Sequence, residues 1–361
     1  MNVLVFNLKM RSLSYAFLTN DSELNEFSGS LDDYRRCDPV KEVLSEIKER
    51  TDKWNESFEE SSALILAFRL PYGGNLFHGP EIVGPGSLAK LWELIPKAPL
   101  HLPAVLNLIE CAGEIFAGYP QVLVSETSFF VDLPDREKLV ALDFELIQKI
   151  GIRHYGFNGT LHQAACADAS YKRRLAGLTS MPRIVSICLE SRPEVAAVIG
   201  RRPLMVTSGT TPLDGLPGST TCGELDPGIV ISLSQKSGWG PERINQVLTR
   251  ESGLKGLTGE QTDIAAIFSG NKANYKLARE IIQYKILAAC GAAKAAMGGL
   301  DTIVFSGKFV KAGESMGPRL TANPALADNR DGSKATWELF LKPSERVVAE
   351  IARTTAACPV G

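Results

Sequence analysis

Apolar residues along the chain follow two rhythms. Short apolar or alternating runs at residues 2–6, 13–18, 63–70, 121–125, 183–189, 195–199 and 302–306 predict strands. Apolar residues three and four apart predict helices at 38–54 (Val40, Val43, Leu44, Ile47), 86–94, 103–117, 136–150, 274–297 and 345–356. Gly298 and Gly299 close the longest of these. Residues 321–334 are polar and rich in turn formers, and read as a surface loop. Residues 2–18 and 183–199 each spell strand, turn, strand. Both halves therefore open on an antiparallel hairpin, and a duplicated α/β architecture is expected although the two halves share no repeat at the level of sequence.

Length supports that division, since 361 residues exceed one ordinary domain of about 100–200. The 39 basic and 41 acidic residues leave a net charge of −2, which gives no support to a nucleic-acid or membrane partner. With 44% hydrophobic and 22% charged residues the chain has the makings of a large core. Cysteines 37, 111, 166, 188, 222, 290 and 358 form no close pairs, and histidines 78, 101, 154 and 162 are dispersed. Free thiols in a reducing cytoplasm, and no zinc site, are expected. The first residues lack the pattern of a signal peptide, and no apolar stretch approaches the roughly 18 residues of a membrane helix. A soluble cytoplasmic protein is the expectation.

In α/β proteins ligands gather on loops that follow strands. Four such loops stand out, at residues 7–14, 189–194, 208–226 and 307–315. Neither GxxxxGK[ST] nor GxGxxG occurs. The stretch SGTTPLDGLPGSTTCGELDPG (208–228) is dense in Gly, Ser and Thr. That composition suits backbone and hydroxyl donors around an anion, and it equally suits a long surface loop.

Seven collinear segments resemble one family. RHYGFNGTLH (153–162) is similar to the acetate and propionate kinase motif RRYGFHGTSH, and TPLDGLPGSTTCGELDPG (211–228) to TPLEGLMMGTRSGDIDP. NVLVFNLKMRSLSY, FRLPYGG, APLHLP, PQVLVSETSF and SGLKGLTG likewise resemble NVLVINAGSSSLKY, HRVVHGG, APLHNP, PQVAVFDTAF and SGLLGISG. The resemblance runs to about residue 345. It implies duplicated ribonuclease H-like domains of the actin, Hsp70 and sugar kinase type flanking a central cleft. One domain would be 1–149, with a helix at 346–361 packing back on it, and 150–345 would be the second, on the nucleotide side. It also implies ATP, Mg²⁺, a short carboxylate acceptor, an acyl phosphate product and a homodimer.

The resemblance assigns roles residue by residue. Asn7 and Glu345 match metal-associated positions; on sequence alone Asn7 also reads as a turn residue, and Glu345 as an acid favoured at a helix start. Arg69 matches the arginine that meets the substrate carboxylate, to which a guanidinium is complementary. His101 matches the histidine of APLHNP. Glu126 stands at the catalytic aspartate, one methylene longer. Asn158 stands at a phosphoryl-stabilising histidine, keeping a donor without the charge a histidine can carry, and Thr221 stands at an arginine, so a cation is lost there. Nucleotide positions map to Ser12, Ser14 (a lysine in the family), Cys188, Glu190, Asp263, Gly307 and Lys308. Three glycine-rich loops become KMRS (9–12), CLESRPE (188–194) and GKFVKA (307–312). Glycine permits close approach of backbone amides to phosphate, Pro193 removes a donor, and Glu190 and Glu194 are expected to repel phosphate. Lys9, Arg11 and Arg192 are compensating cations. Two functions follow: a carboxylate kinase with altered nucleotide loops, or an impaired pseudokinase that binds a small anion or a protein.

Overall fold

A computed structural model describes the chain except residues 9–11, 20–26, 33–36, 57–62, 99–101, 212, 328, 330–331 and 359–361. It forms two compact units. One comprises residues 1–131 and 343–361, the other residues 132–342.

The first unit is built on a six-stranded sheet. Its strands are β1 (Asn2–Leu8), β2 (Ser12–Leu18), β3 (Phe27–Asp32), β4 (Leu64–Leu70), β5 (Glu81–Ile82) and β6 (Gln121–Ser125), in the order β3-β2-β1-β4-β6-β5. β1, β2 and β3 pair antiparallel, whereas β1, β4 and β6 run parallel. Side chains alternate across the pleat. Leu4, Phe6, Leu66, Phe68 and Leu123 pack on one face with helices α1 (Cys37–Glu56) and α2 (Leu102–Ile115). Val3, Val5, Ile65, Ala67, Val122 and Val124 form the other face, covered by Val348, Ala349 and Ala352.

The second unit repeats the plan. α3 (Gly159–Leu175) leads into β7 (Arg183–Cys188), β8 (Glu194–Ile199) and β9 (Arg202–Val206), then α4 (Ala273–Met297), β10 (Thr302–Ser306) and β11 (Thr336–Leu339). The sheet order is β11-β10-β7-β8-β9, with β7, β8 and β9 antiparallel and β7, β10 and β11 parallel. Read outward from the meander, 3-2-1-4-6 and 9-8-7-10-11 are one topology used twice. Val185, Ile187, Ile303 and Phe305 face α4 through Ala278, Ile282, Ile286 and Cys290. The opposite face lies against α3. The chain then returns to the first unit as α5 (Ser344–Ala357), whose apolar stripe covers β1, β4 and β6.

Two expectations fail locally. The helix over 136–150 is two short ones, Asp135–Lys138 and Phe144–Ile150, because the Asp143 side chain accepts from the Leu146 amide and caps a new start. The polar stretch 321–334 is not wholly loop, since Gly313–Ala322 and Pro324–Ala327 are helical. Strands β3, β9 and β11 and helix α3 were not legible as elements. Cys111, Cys166, Cys188 and Cys290 are buried, and Cys358 is exposed.

Candidate active site

In the first unit the site is the continuation of an apolar pattern. Val3, Val5 and then Asn7 point to the α5 side of the sheet, as do Ile65, Ala67 and then Arg69. Along β6, Val122 and Val124 lead to Glu126, just past the strand. Three parallel strands thus deliver a polar residue at their C-terminal ends, where open α/β sheets bind ligands. Asn7 and Arg69 are direct partners in the β1–β4 register, and Asn7 faces Ser14 across the hairpin.

Asn7 is buried, at 4% exposure. Its Nδ2 donates to Glu345 Oε1 at 3.3 Å, and its Oδ1 accepts from Arg69 Nη1 at 3.2 Å. Arg69 Nε also donates to Glu126 Oε1 in a short, charge-assisted contact. Glu126 is 1% exposed, and its amide continues the ladder by donating to Leu70 O. Glu345 sits in the first turn of α5, with Ser344 Oγ on its other oxygen at 3.1 Å. Asn7, Arg69, Glu126 and Glu345 therefore form one connected cluster. Ser12 and Ser14 lie on β2 and are half-buried. His101, Lys9, Met10 and Arg11 lie outside the described residues.

Glu345 offers carboxylate oxygens to a hard divalent cation, whereas Asn7 turns its amide nitrogen to Glu345 and its oxygen to Arg69. Mg²⁺ is usually held by one or two protein oxygens, with water and substrate phosphates completing its octahedron. Among the described residues no group of three or more His, Cys, Asp or Glu converges in a way that could hold a metal unaided.

The second unit gathers a different set. Cys188 ends β7 fully buried, and the β7–β8 turn follows it. Within that turn Glu190 Oε1 accepts from the Lys308 amide at 2.9 Å, and Leu189 O accepts from the Phe309 amide. Gly307 is required between them: its φ is +94°, and a Cβ there would meet Leu189 O at 2.8 Å. Cys188, Glu190, Gly307 and Lys308 are thus one tightly bonded pair of loops. Lys308 extends its ammonium over the Phe309 ring.

Thr221 belongs to the 208–226 loop, which rests on the same turn through the Ser219 amide bonded to Ser191 O at 2.7 Å. Its hydroxyl is buried without a hydrogen-bond partner among the described residues. Asp263 stands apart from these loops in its bonding. It caps the helix Ile264–Ser269 by accepting from the Ala266 amide at 2.9 Å.

Asn158 is the N-cap residue of α3, 9% exposed, and its amide donates to Glu194 Oε1 at 3.1 Å. Glu194 corrects an expectation. It is no phosphate-facing loop charge but the first residue of β8, with no exposed surface. It also accepts from the Phe157 amide at 3.0 Å and from His162 Nε2 at 3.1 Å. His162 in turn touches Ser186 Oγ through Nδ1 at 2.8 Å. Burial pushes the Glu194 carboxyl up, but the bonds from His162, Ser208 and the Phe157 amide outweigh it and hold it below the ordinary carboxylate range. Glu194 as an anchor, and His162, Ser186 and Ser208 around it, escaped sequence reasoning. The available signal was a single acid opening an apolar strand in step with Ala196 and Val198.

The duplicated sheet is that of the acetate kinase, sugar kinase, Hsp70 and actin class, and comparisons with known proteins narrow it. The acetokinase family model matches residues 10–315. The chain is 35% identical over 252 residues to an acetate kinase of Syntrophobacter fumaroxidans, a match covering 69% of this chain and 60% of that one. An acetate kinase of Porphyromonas gingivalis is 34% identical over 275 residues, covering 74% and 67%. The crystal structure of a P. gingivalis acetate kinase superposes with a TM-score of 0.82 at 27% identity, over 98% of this chain and 99% of that one. A propionate kinase from Francisella tularensis shares the fold at a TM-score of 0.79 and 22% identity, over 98% and 99%. The chain belongs to the acetokinase family. No helix among the described residues is long and apolar enough to cross a membrane.

Proposed function

We propose that this protein is a carboxylate kinase of the acetate kinase type. It transfers the γ-phosphoryl group of ATP to a carboxylate oxygen of a short acid such as acetate or propionate, giving acyl phosphate and ADP. The carboxylate oxygen forms the new bond to phosphorus as the β–γ bridging oxygen leaves, so no proton need move. The observation that carries the reading is the Asn7–Arg69–Glu126–Glu345 cluster at the ends of three parallel strands.

Phosphoryl transfer asks a protein for positioning and charge neutralisation. Arg69 supplies a fixed cation for the acceptor carboxylate, oriented by Glu126 on one side and Asn7 on the other. Glu345, steadied by Asn7 Nδ2, would hold Mg²⁺, which when bound neutralises the phosphate oxygens. Glu126, almost wholly buried against Arg69, holds the guanidinium plane rather than acting as a free base. In the other unit Asn158 offers a neutral donor, and Lys308 a cation, to the nucleotide. Assembly as a homodimer in the cytoplasm is proposed on the family resemblance.

A second reading, an impaired kinase that keeps the fold, is favoured by one observation. Glu190 and Glu194 engage the amides of Lys308, Phe157 and Asn158, which a glycine-rich nucleotide loop would leave for phosphate. Steady-state release of ADP with acetate, propionate and butyrate separates the two. Carboxylate-dependent ADP release, with the Michaelis constant for carboxylate raised in Arg69→Gln, supports the kinase. Carboxylate-independent release, or none, supports the second reading.

A further inference from the structure

A set of buried donors in the second unit converges on a side chain of the chain itself. The Glu194 carboxylate accepts from the amides of Phe157 and Asn158 and from His162 Nε2. Two successive amides at the start of a 17-residue helix and an imidazole are donors that a small oxyanion takes from a protein. Glu194 and His162 are without exposed surface, yet Phe157, whose amide is one of the three donors, is only half-buried. The place therefore lies one residue beneath the surface of the unit. The guanidinium of Arg192 lies over the Phe157 ring, 5.7 Å from its centroid, and adds positive potential at that mouth.

We propose that Glu194 is a specificity-determining residue, an internal anion that fills an oxyanion place formed by Phe157 N, Asn158 N and His162 and closes it to phosphate from solution. Its bearing on turnover rests on the kinase reading above; the donor set and its occupant stand without that reading. A carboxylate held by three donors differs from a charge that merely repels. Withdrawing it leaves the donors, not a vacancy with no preference, and unsatisfied buried donors favour an incoming anion.

The groups facing this place come from every element around it. They are Ser186 and Cys188 on β7, Cys166 one turn along α3, Ser208 after β9, and Arg192 in the turn before β8. The Cys166 thiol, pushed up to about 12 by burial, stays neutral.

The test titrates the full chain with inorganic phosphate, following the amide resonances of Phe157 and Asn158 and the melting temperature. In the wild type phosphate should leave both amides unmoved. In Glu194→Ser, phosphate should shift both amides and bind at least tenfold more tightly than in the wild type, with a matching rise in melting temperature. Glu194→Asp keeps the charge and should gain nothing. Glu194→Ala, a second truncation, should gain affinity as Glu194→Ser does, whereas the isosteric Glu194→Gln keeps the place filled and should gain nothing. Adding His162→Asn to Glu194→Ser should remove most of the gain. Wild-type amides that move with phosphate, or Ser and Ala variants that both gain no affinity, overturn the proposal. None of these outcomes requires turnover, so phosphate binding decides the role of Glu194 even if the chain proves not to be a kinase.

Discussion

Neutralising one member of the Arg69–Glu126 pair should cost far more than neutralising both. The two side chains are 13% and 2% exposed, and their contact is a direct charge-assisted hydrogen bond. Removing one partner of a buried pair leaves a charge whose desolvation is no longer compensated, at about 3–5 kcal/mol. Arg69 also holds Asn7 Oδ1, so Arg69→Gln loosens the Asn7–Glu345 contact as well and should lie at the upper end. Glu126→Gln keeps an acceptor for the guanidinium and should lie at the lower end. The double variant removes both charges together and should be no worse than the weaker single variant. Its coupling energy should then be at least the size of the stronger single effect, about 3–5 kcal/mol. Urea unfolding with a constant slope reads each value. Single effects that add to within about 0.5 kcal/mol would refute the reasoning, since independent sites behave so.

Acid should destabilise the second unit through Glu194. Its carboxyl is depressed in the folded chain, so its contribution is complete above the unfolded value of about 4.3 and is lost as pH falls through the lower folded value. Glu194→Gln should be less stable than the wild type at neutral pH and lose less on acidification, measured as urea midpoints against pH. Gly307→Ala should cost about 1–3 kcal/mol, because a positive φ and the Leu189 carbonyl both oppose a Cβ. Gly118→Ala, with φ +87° but open space around it, should cost about 1 kcal/mol, and a thermal melt comparing the two checks the difference. Replacing Glu345 by Gln should move the Mg²⁺ dependence of turnover to higher concentration while leaving the melting temperature nearly unchanged. Cys166 and Cys290, each held near 12 by burial, should resist a thiol reagent in the native chain while exposed Cys358 reacts, as a timed thiol count will read.

The first-unit candidates came from the family resemblance, and a local rule accompanies them. Asn7 and Arg69 occupy the next inward position after two apolar ones on their strands, and Glu126 follows β6 in the same way. A period of two that ends in a polar residue marks where a strand meets its ligand face. The duplicated hairpins were legible as strand, turn, strand. Glu194 was not, because one acid before an apolar run looks the same whether water or His162 surrounds it. Its meaning depends on α3 lying across the sheet, a contact between residues 32 apart. Asp263 shows the converse: a match in a motif whose side chain is spent on a helix cap. Strands β3, β9 and β11 escaped notice because edge strands carry mixed, half-buried residues that their neighbours, not their own pattern, order.

Phosphoryl transfer to a carboxylate can be observed by trapping its product. Hydroxylamine added to the protein with Mg-ATP and acetate or propionate converts an acyl phosphate to the hydroxamate. Acyl hydroxamate should form in step with ADP, depend on the carboxylate and be strongly reduced in Arg69→Gln. ADP without hydroxamate, or no ADP above the rate without protein, would contradict a carboxylate kinase.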